Sequence, residues 1–125
     1  MYMKNKTLRD SFQNAWAGIK YSITTQRNIR IHISAAVIVL ILSWLLEISR
    51  LDFLFIVVAI ALVFTAEMVN TAVEKTVDLF MSTYHPLAKI AKNVAAGAVL
   101  IAAINAVITG ILVLGVPLLK LFRGL

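Results

Sequence analysis

Three long apolar stretches constrain what this chain can fold into: Ile31 to Leu46, Leu51 to about Val73, and Val94 to Leu119. Each approaches or exceeds the roughly 20 residues that a helix needs to cross a bilayer. The third is the clearest, with no charge between Lys92 and Lys120. The first is short and borrows Ile29 and Ile48, and the second is interrupted by Glu67. With 61% hydrophobic and 14% charged residues over 125 positions, the chain is too apolar for a soluble domain of its size. The expected fold class is an all-α membrane protein, three transmembrane helices preceded by an amphipathic interfacial helix. We read it as one domain spanning 1–125, with the interfacial helix at about 8–25 and spans at about 29–48, 51–80 and 93–119.

The basic residues bracket these spans. Lys4, Lys6, Arg9, Lys20, Arg27 and Arg30 precede the first, and Lys75, Lys89 and Lys92 lie between the second and third. By the positive-inside rule both segments are cytoplasmic, which puts the N-terminus in the cytosol. Between spans one and two Arg50 is offset by Glu47 and Asp52, as suits an external loop, while Lys120 and Arg123 at the external end run against the rule. The net charge of +6 forms no dense patch and is expected to meet anionic headgroups or a phosphorylated substrate, not nucleic acid. The absence of cysteine removes disulfides and thiolate metal sites. A cleaved signal peptide is not expected, because a basic, amphipathic lead precedes the first apolar run with no small-residue cleavage site behind it.

In that lead, Leu8, Phe12, Ala15, Trp16, Ile19 and Ile23 share one helical face, the pattern of a helix lying in the interface. Ser82 to Pro86 breaks the second helix, because a proline biases the residue before it away from helical geometry. In the third span Ala98, Ala102, Ala106 and Gly110 recur every fourth residue, a spacing that lets a neighbouring helix approach, and Asn105 suits an interhelical hydrogen bond or a substrate contact.

The second span carries the chemistry. At about 100° per residue, with Glu67 as zero, Asn70 falls near −60°, Glu74 near −20° and Asp78 near +20°, so all four share one face. Ionisable groups in a span are costly, and the stripe is either a structural seam between helices or a site. Depth bears on the choice. At 1.5 Å per residue Glu67 lies about 24 Å along a helix starting at Leu51, near the inner edge of a hydrocarbon core about 30 Å thick. Gln26 to His32 and Lys89 to Asn93 reach the same level. Carboxylates, amides and a lysine thus converge where lipid meets cytosol, a location suited to reaction between a water-soluble anionic donor and a lipid's polar end. Phosphoryl transfer needs a metal held by carboxylates, a cation near the phosphates and a base near the attacking hydroxyl. Glu74, Lys92 and the deep Glu67 offer these. No Walker A or kinase-type glycine loop is present.

The run Glu67-Met-Val-Asn70-Thr-Ala-Val-Glu74-Lys-Thr-Val-Asp78, then Tyr84-His85, then Ala88-Lys89-Ile-Ala91-Lys92-Asn93-Val-Ala-Ala-Gly97, resembles the bacterial diacylglycerol kinase family. With Gln26-Arg27-Asn28-Ile-Arg30-Ile-His32, the likeness covers roughly residues 10 to 115, and it leans toward the undecaprenol kinase branch. The resemblance implies a homotrimer in the bacterial plasma membrane, with composite sites between subunits, using magnesium and ATP to phosphorylate a lipid alcohol. It implies Glu67 as catalytic base and Glu74 and Gln26 as metal ligands. Glu74, Asp78, Tyr84, His85, Lys92, Asn93 and Asn14 fall at nucleotide positions, and Asn70, Trp16, Arg30 and Ala96 at substrate positions. Oligomerisation also follows from size, since three helices leave little room to bury both a polar stripe and a site. Two positions depart from the family pattern: Gln26 stands where a metal-binding glutamate is common, and Asn93 where an aspartate is common. Two anions fewer are expected to lower magnesium affinity. Undecaprenol is the expected acceptor, with diacylglycerol as the alternative. A non-catalytic trimeric membrane protein is the competing class.

Overall fold

The computed structural model describes residues 7–124, so Lys4 and Lys6 lie outside the described residues. Four helices follow in order: α1 (Leu8–Thr25), α2 (Arg27–Leu45), α3 (Arg50–Phe80) and α4 (Pro86–Arg123). Their ends are written in local chemistry. Thr7 and Asp10 form a capping box at the start of α1, each side chain bonded to the other's backbone N–H at 3.2 and 3.0 Å. Gln26 adopts an extended conformation (φ −99°, ψ 116°), and this single residue separates α1 from α2.

At the other end of α2 the chain reverses through Glu47, which sits at φ 49° in the left-handed region. Ser49 then caps α3, accepting from the Asp52 N–H at 3.1 Å. His85 caps α4 in a less usual way, its Nδ1 accepting from the Leu87 N–H at 3.2 Å, with Pro86 at the first helical position where no N–H is needed.

α2, α3 and α4 are long and apolar enough to cross a membrane. α3 runs unbroken for 31 residues and α4 for 38, about 46 and 57 Å at 1.5 Å per residue. Both exceed a hydrocarbon core about 30 Å thick. α4 therefore continues past the apolar segment toward the loop, which brings Lys89, Lys92 and Asn93 onto an ordered helix. α3 and α4 form the principal interface, with α2 against α3 and α1 against α2 and α3.

The buried apolar set is small: Ile29, Ile56, Ala59, Val63, Ala95 and Leu114. Large side chains such as Leu100, Ile101 and Leu112 face outward. In water that distribution would be unstable, but hydrocarbon solvates such faces, and what must be satisfied there is the backbone. Buried hydroxyls follow the same rule by bonding back into their own helices: Ser22 donates to the Gly18 carbonyl, Ser43 to Val39 and Thr71 to Glu67.

Ala106 and Gly110 are half-buried and line cavities between α2, α3 and α4, and a Cβ added at Gly110 would meet nothing within 4 Å. The Asn105 side chain is exposed and makes no hydrogen bond among the described residues.

Candidate active site

α3 presents the polar stripe as a graded series. Glu67 and Asn70 are buried, at 3% and 9% exposure, Glu74 is half-buried, and Asp78 is exposed. The gradient follows from position: Glu67 lies where α2 reaches it through His32, whereas Asp78 near the C-terminal end of α3 pairs with Lys92 of α4 in the open.

At the deep end, His32 on α2 places Nε2 3.1 Å from Glu67 Oε1. Among the described residues it is the carboxylate's hydrogen-bonding partner. One turn on, the Asn70 side-chain N–H donates to Glu74 Oε1 at 3.2 Å, which fixes that carboxylate. The Oδ1 of the same amide is buried and has no partner. A buried acceptor left unmade is costly, so this atom marks a place where something electropositive or a donor fits.

At the shallow end, Asp78 pairs with the Lys92 ammonium across the α3–α4 interface. Around that pair a cavity of about 410 Å³ is lined by Asp78, Thr83, Tyr84, His85, Lys89, Lys92 and Asn93, among others. Of the α3 and α4 residues expected near a nucleotide, Asp78, Tyr84, His85, Lys92 and Asn93 meet in one hollow, while Glu74 does not line it. His85 is held by its capping bond: with Nδ1 accepting, the neutral ring carries its hydrogen on Nε2, a donor suited to nucleotide oxygens or nitrogens.

The remaining expected residues stay apart from the stripe within one chain. The Gln26 side chain donates to Thr25 Oγ1 at 3.0 Å, and Arg30 donates to the Thr24 carbonyl at 3.2 Å. Among the described residues, no hydrogen bond or ion pair joins either to Glu74 or Glu67. Trp16 and Asn14 lie on an exposed part of α1, and Ala96 is exposed on α4. No cluster of three acidic, His or Cys residues suited to a metal occurs among the described residues.

Sequence reasoning assigned no role to His32. The available signal was its depth: a lone imidazole in the first turns of α2, at the level of a buried carboxylate, is a natural partner for it. Lys89, noted for its charge and its level in the bilayer, also lines the hollow around Asp78 and Lys92.

Residues 13–114 match the family described as prokaryotic diacylglycerol kinase. The chain belongs to that family. It is thus a member of a family of membrane lipid kinases, and its three apolar helices agree with a bacterial membrane protein. Over 112 residues, 89% of the chain, it is 48% identical to a protein of Synechocystis named diacylglycerol kinase, and the match covers 64% of that protein's length. Over 103 residues it is 44% identical to the undecaprenol kinase of Bacillus subtilis, covering 82% of this chain and 84% of the relative. The diacylglycerol kinase of Escherichia coli is 30% identical over 95 residues, 76% of this chain and 78% of that one.

Proposed function

We propose that this chain is an ATP-dependent kinase that phosphorylates a lipid alcohol, undecaprenol, at the cytosolic face of a bacterial plasma membrane. The observation that carries the reading is α3 itself. One rigid helix holds a buried carboxylate at lipid depth, Glu67, and a cation-bearing hollow around Asp78 and Lys92 at its cytosolic end. The lipid hydroxyl meets the first and a nucleoside triphosphate the second.

Glu67 removes the hydroxyl proton as the oxygen attacks the terminal phosphorus. Lys92 turns from Asp78 to the phosphates, a change made easy by the exposure of both side chains. His85, with Tyr84, Asn93 and Asn14, binds the nucleotide, and Asn70 keeps Glu74 in place while it faces the reacting groups. Trp16, Arg30 and Ala96 contact the lipid.

Magnesium takes hard oxygen donors and needs few from the protein. The Glu74 carboxylate, the Gln26 amide oxygen and the unpartnered Asn70 Oδ1 beside Glu74 fit such an ion. Held by Glu74 and Gln26, it would neutralise charge on the transferring phosphoryl group.

The functional unit in this reading is a homotrimer with its N-termini in the cytosol and α1 lying in the interface. The outward Leu8, Phe12 and Trp16 of α1 support the interfacial placement. Support for the trimer comes from Asn105, a side-chain amide in the apolar middle of α4 with no hydrogen-bond partner among the described residues, and from Gln26, which needs a neighbour to meet Glu74. Diacylglycerol is the second acceptor to consider, favoured by the naming of the Synechocystis relative.

The test is phosphate transfer from radiolabelled ATP by purified protein to undecaprenol and diacylglycerol presented side by side in one detergent. Preferential labelling of undecaprenol is expected. Preferential labelling of diacylglycerol reverses the acceptor, and no labelling of either removes the kinase reading.

A further inference from the structure

His32 is unaccounted for by the reaction as described, yet it is bonded to the base. Its side chain is 28% exposed against 4% for Glu67. It also lines two cavities that run along the apolar face between α2, α3 and α4, one with Ala35, Val39, Ile56 and Val63, the other with Ala103, Ala106 and Leu114. Glu67 lines neither. An acceptor arriving from the membrane side therefore passes the imidazole before it reaches the carboxylate.

We infer that His32 is a positioning residue for proton removal: its Nε2–H holds Glu67 Oε1, turning Oε2 toward the lipid hydroxyl. The inference rests on the kinase reading with Glu67 as base. An ionised carboxylate only accepts hydrogen bonds, so with Glu67 ready to react the 3.1 Å contact has the imidazole as donor. A neutral donor steadies a buried carboxylate without cancelling its charge.

Few other charges face this pair. Glu67 is the ionisable group of α3 that meets His32, with Glu74 two turns away and held by Asn70. α4 has none between Lys92 and Lys120. On α2 itself Arg30 is committed to the Thr24 carbonyl and Arg27 starts the helix, and on α1 the nearest in sequence are Lys20 and Tyr21, neither of which bonds to the pair. In the chemical step the lipid O–H bond breaks as the new O–P bond forms, the bond from the terminal phosphorus to the bridging oxygen breaks to release the diphosphate, and the proton passes to Glu67 Oε2.

The test compares full-length wild type, His32→Ala and His32→Gln in detergent, measuring kcat and lipid KM. His32→Ala is expected to lose at least about 10-fold in kcat, a modest share of the 10²–10⁴ of general base catalysis, with KM little changed. His32→Gln keeps an N–H donor and should recover most of that loss. Wild-type kcat in both variants overturns the inference while leaving the kinase reading intact. A loss in both variants without recovery in His32→Gln assigns His32 to packing and also overturns it. An inactive wild type removes the parent reading and this one with it.

Discussion

The two ends of the polar stripe on α3 use the same functional group, a carboxylate, under opposite conditions. Glu67 is enclosed, and its partner among the described residues is an imidazole from a neighbouring helix. Asp78, eleven residues on, is more than half exposed and pairs with a lysine that is itself 39% exposed. A buried carboxylate stripped of its partner stays charged and unsatisfied, whereas an exposed pair is screened and exchanges freely with water. The deep end is built to hold one geometry and the shallow end to let go of one. That division suits a site in which a base must stay fixed while a phosphate donor comes and goes.

Four substitutions would break or sharpen the contrast. Glu67→Gln keeps volume and burial but removes the base, so turnover should fall by about 10²–10⁴-fold, with helix content by circular dichroism unchanged. Activity near wild type would remove the deep end from the chemistry. Lys92→Met should act on nucleotide use, lowering kcat/KM for ATP by about 10–100-fold, in line with roughly 1.5–3 kcal/mol for a charged hydrogen bond; an effect confined to the lipid KM would contradict the division. Gln26→Glu adds an anion at the expected metal position and should lower the magnesium concentration for half-maximal rate several-fold, since affinity rises with ligand charge. Asp78→Asn should matter least for stability, shifting unfolding by at most about 1 kcal/mol because both members of its pair are exposed. A larger loss of stability would make the shallow end as fixed as the deep one.

Much of the fold was readable because hydrophobic length is a blunt and reliable signal in lipid. The spans appeared as runs, and Ser82 to Pro86 marked the break after the second helix through a rule that needs no tertiary information. The stripe was readable for a similar reason: helical angle is arithmetic, and Glu67, Asn70, Glu74 and Asp78 belong to one unbroken helix. What the linear order withheld was contact between helices. The pairing of His32 with Glu67 joins residues 35 apart and depends on how α2 leans on α3. The small-residue spacing in α4 gave the face of a helix without saying what lies opposite, and Ala106 and Gly110 line a cavity there. Gln26 meets Thr25 and not Glu74 among the described residues, a separation that helical periodicity does not report.

The continuity of α3 also has an evolutionary consequence. Between Glu67 and Asp78 there is no loop in which chain length can drift. Inserting one residue would advance the C-terminal end of the helix by about 1.5 Å and swing it by about 100°, moving Asp78 away from Lys92 while Glu67 stayed with His32. Single-residue insertions and deletions in this interval should therefore be rejected, whereas gaps are absorbed readily in the hairpin between Met81 and His85, and the helix acts as a spacer whose length and phase are inherited together.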